Sequence, residues 1–394
     1  MTATSALPAS LTATMAVQMR SSLQFGAAAL GLAISIFYLG AAASSVPASR
    51  LAEAVGGARV MRVVAVCAGA LLLLLGTQAR SWTVLAVLLA GAGMVSGAVA
   101  PATNLFLARR RPADHQGLAF GIKQSAVPLA SLLGGLAVPT IALSVGWQWA
   151  FRIGALVALL ASLSVPASRT SIRERQRLRR EAARPPLRTL PLVVVATGFC
   201  LGMLAASGCT AFVVSGAVAT GYPKGMAGVL AAVASVAAMT ARIGAGERAD
   251  RRGGRHFVAV VSMMVVGVLG FVLLAVGAGL ESEVLFGLGA VVALGAGWGW
   301  NGLLTYAVVR SHPESPAAAT GITQVGARLG GVLGPLLVGV VVAGGSYTIA
   351  WVLTAAAALG AAATVLLGHR LLRRPAGPSP APAALHGQPL TGNP

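Results

Sequence analysis

The chain has 394 residues, 56% of them hydrophobic and only 10% charged, with a mean hydropathy of +0.82 and a formal net charge of +20. A soluble domain carries about 25% charged residues, so this composition excludes an ordinary water-soluble globule and points to a protein solvated by lipid. The positive charge does not indicate a nucleic-acid partner, because the cations fall in short clusters between apolar runs, the distribution that orients membrane spans.

A helix needs about 20 mostly apolar residues to cross the hydrocarbon core. The first candidate, 3–19, is weak: it is short, contains Pro8 and several hydroxyls, and is followed at once by Arg20. Stronger segments follow at 24–48, 60–79, 82–107, 117–141, 149–167, 189–215, 224–246, 257–280, 284–309, 317–343 and 347–368. With the first included, the chain crosses twelve times. Cys67, Cys200 and Cys209 all lie inside apolar runs without metal-ligand or disulfide spacing and read as small core residues.

If the 24–48 helix ends in the cytoplasm, the loops on that side collect 22 cations and the other side receives only Arg20, Arg80 and Lys224. That bias predicts a multi-pass protein of the plasma (inner) membrane with a cytoplasmic C-terminus. The longest connection divides the chain into an N-terminal six-helix half (1–167), a basic cytoplasmic linker (168–188) lying on the anionic inner leaflet, and a second six-helix half (189–368). The proline-bearing tail, 369–394, is expected to be disordered.

The halves resemble each other. At an offset of 200 residues, Gly121, Ile122, Gln124, Leu129, Leu133 and Gly134 match Gly321, Ile322, Gln324, Leu329, Leu333 and Gly334. At an offset of 197, the stretch Ser49–Arg59 aligns with Gly246–His256, placing Glu53 opposite Asp250 and Gly56 opposite Gly253. Repeated six-helix halves are the layout of a secondary transporter.

On these residues the chain resembles the major facilitator superfamily. The family's loop signature, G-x-L-A-D-R-x-G-R-[RK], follows the second helix of a half. The second copy here keeps Gly246, Ala249, Asp250, Arg251, Gly253 and Arg255. The first copy keeps Gly56 but is degenerate, with Ser49 for the leading glycine, Glu53 for the aspartate and Ala54 for the arginine. The resemblance spans about residues 5 to 370 and implies an all-α integral membrane protein, two six-helix bundles with twelve transmembrane helices. The match begins midway through the first helix, so that helix is expected to be truncated, either by a start codon assigned too far downstream or by genuine shortening.

All nine acids and all five histidines lie in loops or at helix ends, with no nucleophile–base pair and no metal-ligand cluster, so neither enzyme, metal nor cofactor is expected. The embedded ionisable residues named by this reading are Lys123, Arg242 and Arg328. Arg242 and Lys123 are within snorkelling reach of an interface. Arg328, near the midplane, either makes the cavity electropositive for an anion or bonds carbonyls between the halves. By the resemblance, helices one, four, seven and ten line a central cavity, which adds Asn104, Trp298, Asn301 and Tyr306 to Gln124, Lys123 and Arg328 as cavity candidates. Trp298 and Trp300, at i and i+2, cannot share one helical face.

The charged stretch Gly244–His256 reads as a tight cytoplasmic turn. Asp250 is placed to meet the positive end of the fifth helix near Gly117, with Arg251 or Arg255 neutralising it; the alternative is a purely turn-forming, orienting loop. The function these features favour is secondary transport of a small solute, an anion under one reading of Arg328, by a monomer in the bilayer. An efflux pump for hydrophobic compounds is the alternative. A non-transporting sensor or scaffold would need a folded soluble domain, which neither linker nor tail is long enough to form.

Overall fold

The computed structural model describes residues 2–99, 103, 116–164, 189–252 and 254–373. Among the described residues every regular element is a helix, as lipid demands, because a helix satisfies its own backbone hydrogen bonds. The first half comprises α1 (Thr2–Thr14), α2 (Ala16–Leu23), α3 (Ala27–Val55), α4 (Gly57–Gln78), α5 (Trp82–Gly97), α6 (Gln116–Gln124), α7 (Ala126–Ala137, continued by a π-helical turn Val138–Ala142) and α8 (Trp147–Leu163). The second comprises α9 (Thr189–Ala219), α10 (Lys224–Arg252), α11 (His256–Gly279), α12 (Glu283–Gly299), α13 (Asn301–Ser311), α14 (Pro316–Ala343) and α15 (Tyr347–Arg373). The pairs α1–α2, α6–α7 and α12–α13 each form one span, which gives two six-helix bundles. Asn104, Gly253, the linker 168–188 and the tail beyond Arg373 lie outside the described residues.

Several boundaries differ from the sequence reading, for one reason: hydropathy reports depth in lipid, not the end of a helix. The α3 helix runs past Pro47 and Arg50 to Val55, and α10 continues to Arg252 rather than stopping near 246. The charged stretch is therefore mostly helical, up to Arg252 and again from His256. The first span runs from Thr2 to Leu23, about 33 Å at 1.5 Å per residue, with Met15 N–H bonding Leu11 O and Met19 N–H bonding Met15 O across the junction. Its hydroxyls look unfit for lipid because they do not meet it: Thr4, Ser5, Ser10, Thr12 and Thr14 are all buried.

Short loops join antiparallel neighbours. Gly56 alone links α3 to α4, at a φ of +97° that a side chain would resist. Ser81 and Ser282 cap α5 and α12 by accepting from the amides of Val84 and Leu285. Helix ends on one face carry Arg50, Arg59, Arg248, Arg251, Arg310 and Arg370, and those on the other carry Arg20, Arg80 and Lys224; the first is termed the arginine-rich face. Large apolar side chains such as Leu39, Val63, Val87, Leu163, Leu269 and Val284 stand exposed around the perimeter, which is the surface that lipid covers.

Two seams join the halves. Along the first, α6–α7 meets α10 backbone to backbone. A Cβ on Gly117 would lie 2.6 Å from Gly246 O, one on Gly121 2.6 Å from Arg242 O, and one on Gly135 2.6 Å from Gly228 O. Along the second, α3 meets α14: Gly31 abuts Gly339, the Ser35 hydroxyl donates to Val332 O at 2.6 Å, and Gly331 receives the Tyr38 ring. Small residues let helices approach closely where lipid gives no hydrophobic drive between them. The internal repeat shows in this packing. Gly134 faces Thr14 on α1, and its counterpart Gly334 faces Ser207 on α9. Gly135→Val is expected to force the first seam apart and lower stability by about 2 kcal/mol, read as a lower melting temperature of the purified protein; an unchanged melting temperature would contradict the close approach.

Candidate functional site

At the arginine-rich end of the first seam, the Asp250 carboxylate on the last turn of α10 accepts from the amides of Gly117 and Leu118, each at 2.8 Å. Those N–H groups open α6 and have no partner within their own helix, and the helix dipole favours an anion there. Gly117 must be glycine for Asp250 and Gly246 to come so near. The Tyr306 side chain lies near Asp250, and its ring packs on Phe120 at 6.4 Å and His256 at 5.0 Å. Arg251 does not neutralise Asp250. It pairs with Glu247 at 2.6 Å, one helical turn away, and is 76% exposed, because its place on the helix points it outward. Arg255 is exposed at the start of α11, and nothing of the Glu53 side chain lies within the described residues.

Deeper in the seam, Gln124, Trp298 and Asn301 converge on Arg242. The Gln124 Nε2 donates to Asn301 Oδ1 at 2.8 Å, and Asn301 Nδ2 points to the Met203 sulfur at 3.2 Å. The Arg242 Nη1 donates to Gln124 O and Nη2 to Trp298 O at 3.0 Å. Its guanidinium lies 4.5 Å from the centre of the Trp298 ring. The Gln124 carbonyl is open to this donor because residue i+4 is Pro128, which has no N–H to offer. Arg242 is 3% exposed and so does not snorkel. The apolar run ends near residue 246 and suggests a nearby interface, but α10 continues for ten residues beyond Arg242. A guanidinium placed that far from a helix end, beside an aromatic pair, is the sequence signal that the shorter span conceals. Trp300 takes the other side of its helix, buried against Phe199 at 5.3 Å and beside Gly202, as the i, i+2 spacing requires.

The remaining candidates separate. Arg328 Nη1 donates to Ala41 O at 2.8 Å across the second seam, the carbonyl-bonding arrangement. Lys123 is half-buried on α6 beside Gln124. Tyr306 belongs with Asp250 rather than with the cluster at Arg242. Arg152 on α8 is another cation within a span that the sequence reading does not single out; its Nε donates to Gly76 O at 3.0 Å and its guanidinium lies 4.9 Å from the Trp149 ring.

On the face opposite the arginine-rich one, the ends of α2, α9 and α14 and the starts of α3 and α15 enclose an open vestibule of about 920 Å³. Arg20, Ser21, Ser215, Thr220, Ser346 and Tyr347 give it its polar character. None of the residues singled out as cavity candidates lines it. Among the described residues, Asp250 and the Gly117–Gly246 approach tie the halves on the arginine-rich side, while near the other face the halves touch at Gly135–Gly228 and Gly31–Gly339 and the vestibule opens beside them.

This helical fold has its counterpart among known proteins. The Major Facilitator Superfamily model matches residues 1–277. The chain belongs to this superfamily. No curated protein matches the sequence. Among solved structures, the chain is similar to a bacterial homolog of the human lysosomal transporter Spinster. In its inward-facing, occupied form that protein has a TM-score of 0.67 and 14% identity over 94% of each chain. A point mutant of the nucleoside transporter NupG gives a TM-score of 0.68 and 15% identity over 93% of this chain and 98% of that one. The unoccupied inward-facing Spinster homolog gives 0.60 and 15% over 94% and 92%. At these identities the structures share the fold. Superfamily membership makes the protein a membrane transporter of a small molecule rather than an enzyme.

Replacing Asp250 by Asn presents a donor to an amide that is itself a donor. Hydrogen bonds to a charged group are worth about 2 kcal/mol, so Asp250→Asn is expected to shift the balance toward an open arginine-rich side by roughly 30-fold. Spin labels at the exposed positions Arg59 and Arg310, in a background lacking the three native cysteines, check this; they should move apart in the variant, and an unchanged distance would leave Asp250 a turn-forming residue only.

Proposed function

We propose that this protein is a secondary transporter that carries a small polar or anionic solute across the plasma membrane by alternating access, with its two halves rocking about the two seams. The observation that carries the reading is the tie between the halves on one face: Asp250 joins α10 to α6 on the arginine-rich side, and a vestibule opens on the other. The positive-inside rule makes the arginine-rich side, and with it the C-terminus, cytoplasmic. Residues 1–167 and 189–368 are the rocking halves and 168–188 the linker between them; the expected tail begins later than residue 369, since α15 continues as helix to Arg373. A monomer suffices for this cycle.

The vestibule favours a polar solute over a hydrophobic drug. Its lining is mainly glycine, alanine, valine and hydroxyl side chains, its aromatic residues are Phe25 and Tyr347, and its formal charge is the single positive one of Arg20. Arg20 is held by its Nε bond to Phe25 O at 3.3 Å, which leaves the rest of the guanidinium to attract an entering anion.

Uptake of labelled benzoate, phosphate, nucleosides, sugars and a cationic dye into proteoliposomes tests the reading. Saturable flux of a small polar or anionic solute is expected, slowed by Asp250→Asn. Dye flux alone would favour hydrophobic efflux, and no flux from folded, correctly inserted protein would remove the transport reading. Within that assay, Arg20→Gln is expected to raise the KM for an anionic solute several-fold with kcat little changed, since steering affects capture; an unaltered KM would exclude Arg20 from the entry path.

A further inference from the structure

Arg242 presents an unresolved charge. A guanidinium carries five N–H donors, and here Nη1 and Nη2 meet main-chain carbonyls while Nε, fully buried, has no partner. Among the described residues, no carboxylate pairs with it. Carbonyls satisfy donors but do not neutralise charge, and a cation held deep in a low-dielectric span without a counter-ion is retained only at a cost. The surroundings are not closed off. Tyr38, Met203, Gln124 and Asn301, all within spans, each keep part of their surface accessible, and the Tyr38 charge environment includes Arg242.

We propose that Arg242 is the docking residue for the carboxylate of a small monoanion, engaged when the halves separate on the arginine-rich side. The proposal rests on the transporter reading and adds the substrate class and the residue that binds it. Arg242, Trp298 and Asn301 belong to the second half, whereas Gln124 and Tyr38 belong to the first. Separating the halves must therefore remove Gln124 O from Nη1 and the Gln124 amide from Asn301. That leaves Nη1 without a partner as well as Nε, while Nη2 keeps a second N–H beside Nε, with the Trp298 ring still against the guanidinium plane and the Asn301 amide free to bond beside it. A planar carboxylate matches the edge formed by Nε and that second Nη2 N–H, and equally the edge formed by Nη1 and Nη2. One formal charge at the centre is neutralised by a monoanion, whereas a phosphate dianion would leave a buried negative charge.

The test uses the purified full-length chain and needs no flux. Thermal unfolding is followed against acetate and benzoate, with the neutral benzamide and inorganic phosphate as comparators, since a ligand that binds only the folded state raises the melting temperature saturably. Benzoate or acetate should stabilise the wild type and benzamide should not. Arg242→Gln should abolish the anion-dependent rise, and Arg242→Lys, which keeps the charge but loses the fork, should weaken the midpoint by about tenfold. Asn301→Ala, which leaves the charge in place, should weaken it too, and serves if Arg242→Gln does not fold. Any of four results would overturn the proposal: no carboxylate stabilising the wild type, equal stabilisation by benzamide, stabilisation by phosphate alone, or an unchanged midpoint in both Arg242→Gln and Asn301→Ala. Anion binding that depends on Arg242 without flux would instead sink the transport reading and leave the site standing.

Discussion

Two helices from opposite halves, α10 and α6–α7, come close enough for main-chain atoms to touch, and the tie on the arginine-rich side follows from that approach. In lipid there is no hydrophobic gain from pressing two apolar helices together, so the association depends on close packing and on hydrogen bonds between backbones and side chains. Glycine at 117, 121 and 135 removes the side chains that would hold α10 away. Only at that separation can Asp250 reach the amides that open α6, and only there can Arg242 reach across to the Gln124 carbonyl. The seam is thus both the joint between the halves and the lock on one side of it.

The protein treats buried charge in a consistent way. Arg242, Arg328 and Arg152 each lie within a span and each donate to main-chain carbonyls rather than to an acid. Such bonds can be exchanged without leaving a buried carboxylate stranded, whereas breaking a buried ion pair would leave two charges unmet. For a molecule whose halves must part and rejoin, carbonyl partners keep the barrier to parting low. Two of the three cross between halves, Arg242 to Gln124 and Arg328 to Ala41, so the same motion that opens the arginine-rich side releases donors where a solute would pass. The exposed Arg251–Glu247 pair, by contrast, lies on one helix and is indifferent to that motion.

Much of this was legible in the sequence because membranes impose simple rules. Span lengths and the arginine bias gave the helices and their alternation, and the 200-residue repeat reappears in the matched packing of Gly134 and Gly334. The first span was harder to read, since its hydroxyls are buried among other helices, and hydropathy cannot distinguish protein-facing from lipid-facing surface. The role of Arg242 was hidden by the same limit: charged residues 247–252 continue α10 as helix beyond the apolar run, so a residue near the run's end is not near the helix's end. Whether Asn301 pairs with a backbone group or with Gln124 depends on which faces of α6 and α13 meet, which no local spacing determines.

The central claim is that the two faces open in alternation about these seams. Distances between spin labels at Arg59 and Arg310 on the arginine-rich face, and at Gln78 and Glu281 on the opposite face, measured in lipid with and without a transported solute, address it directly; all four positions are exposed. Rocking about the seams requires the two distances to change in opposite senses, one lengthening as the other shortens. Faces that widen together, or distances that never change while solute is being carried, would contradict it.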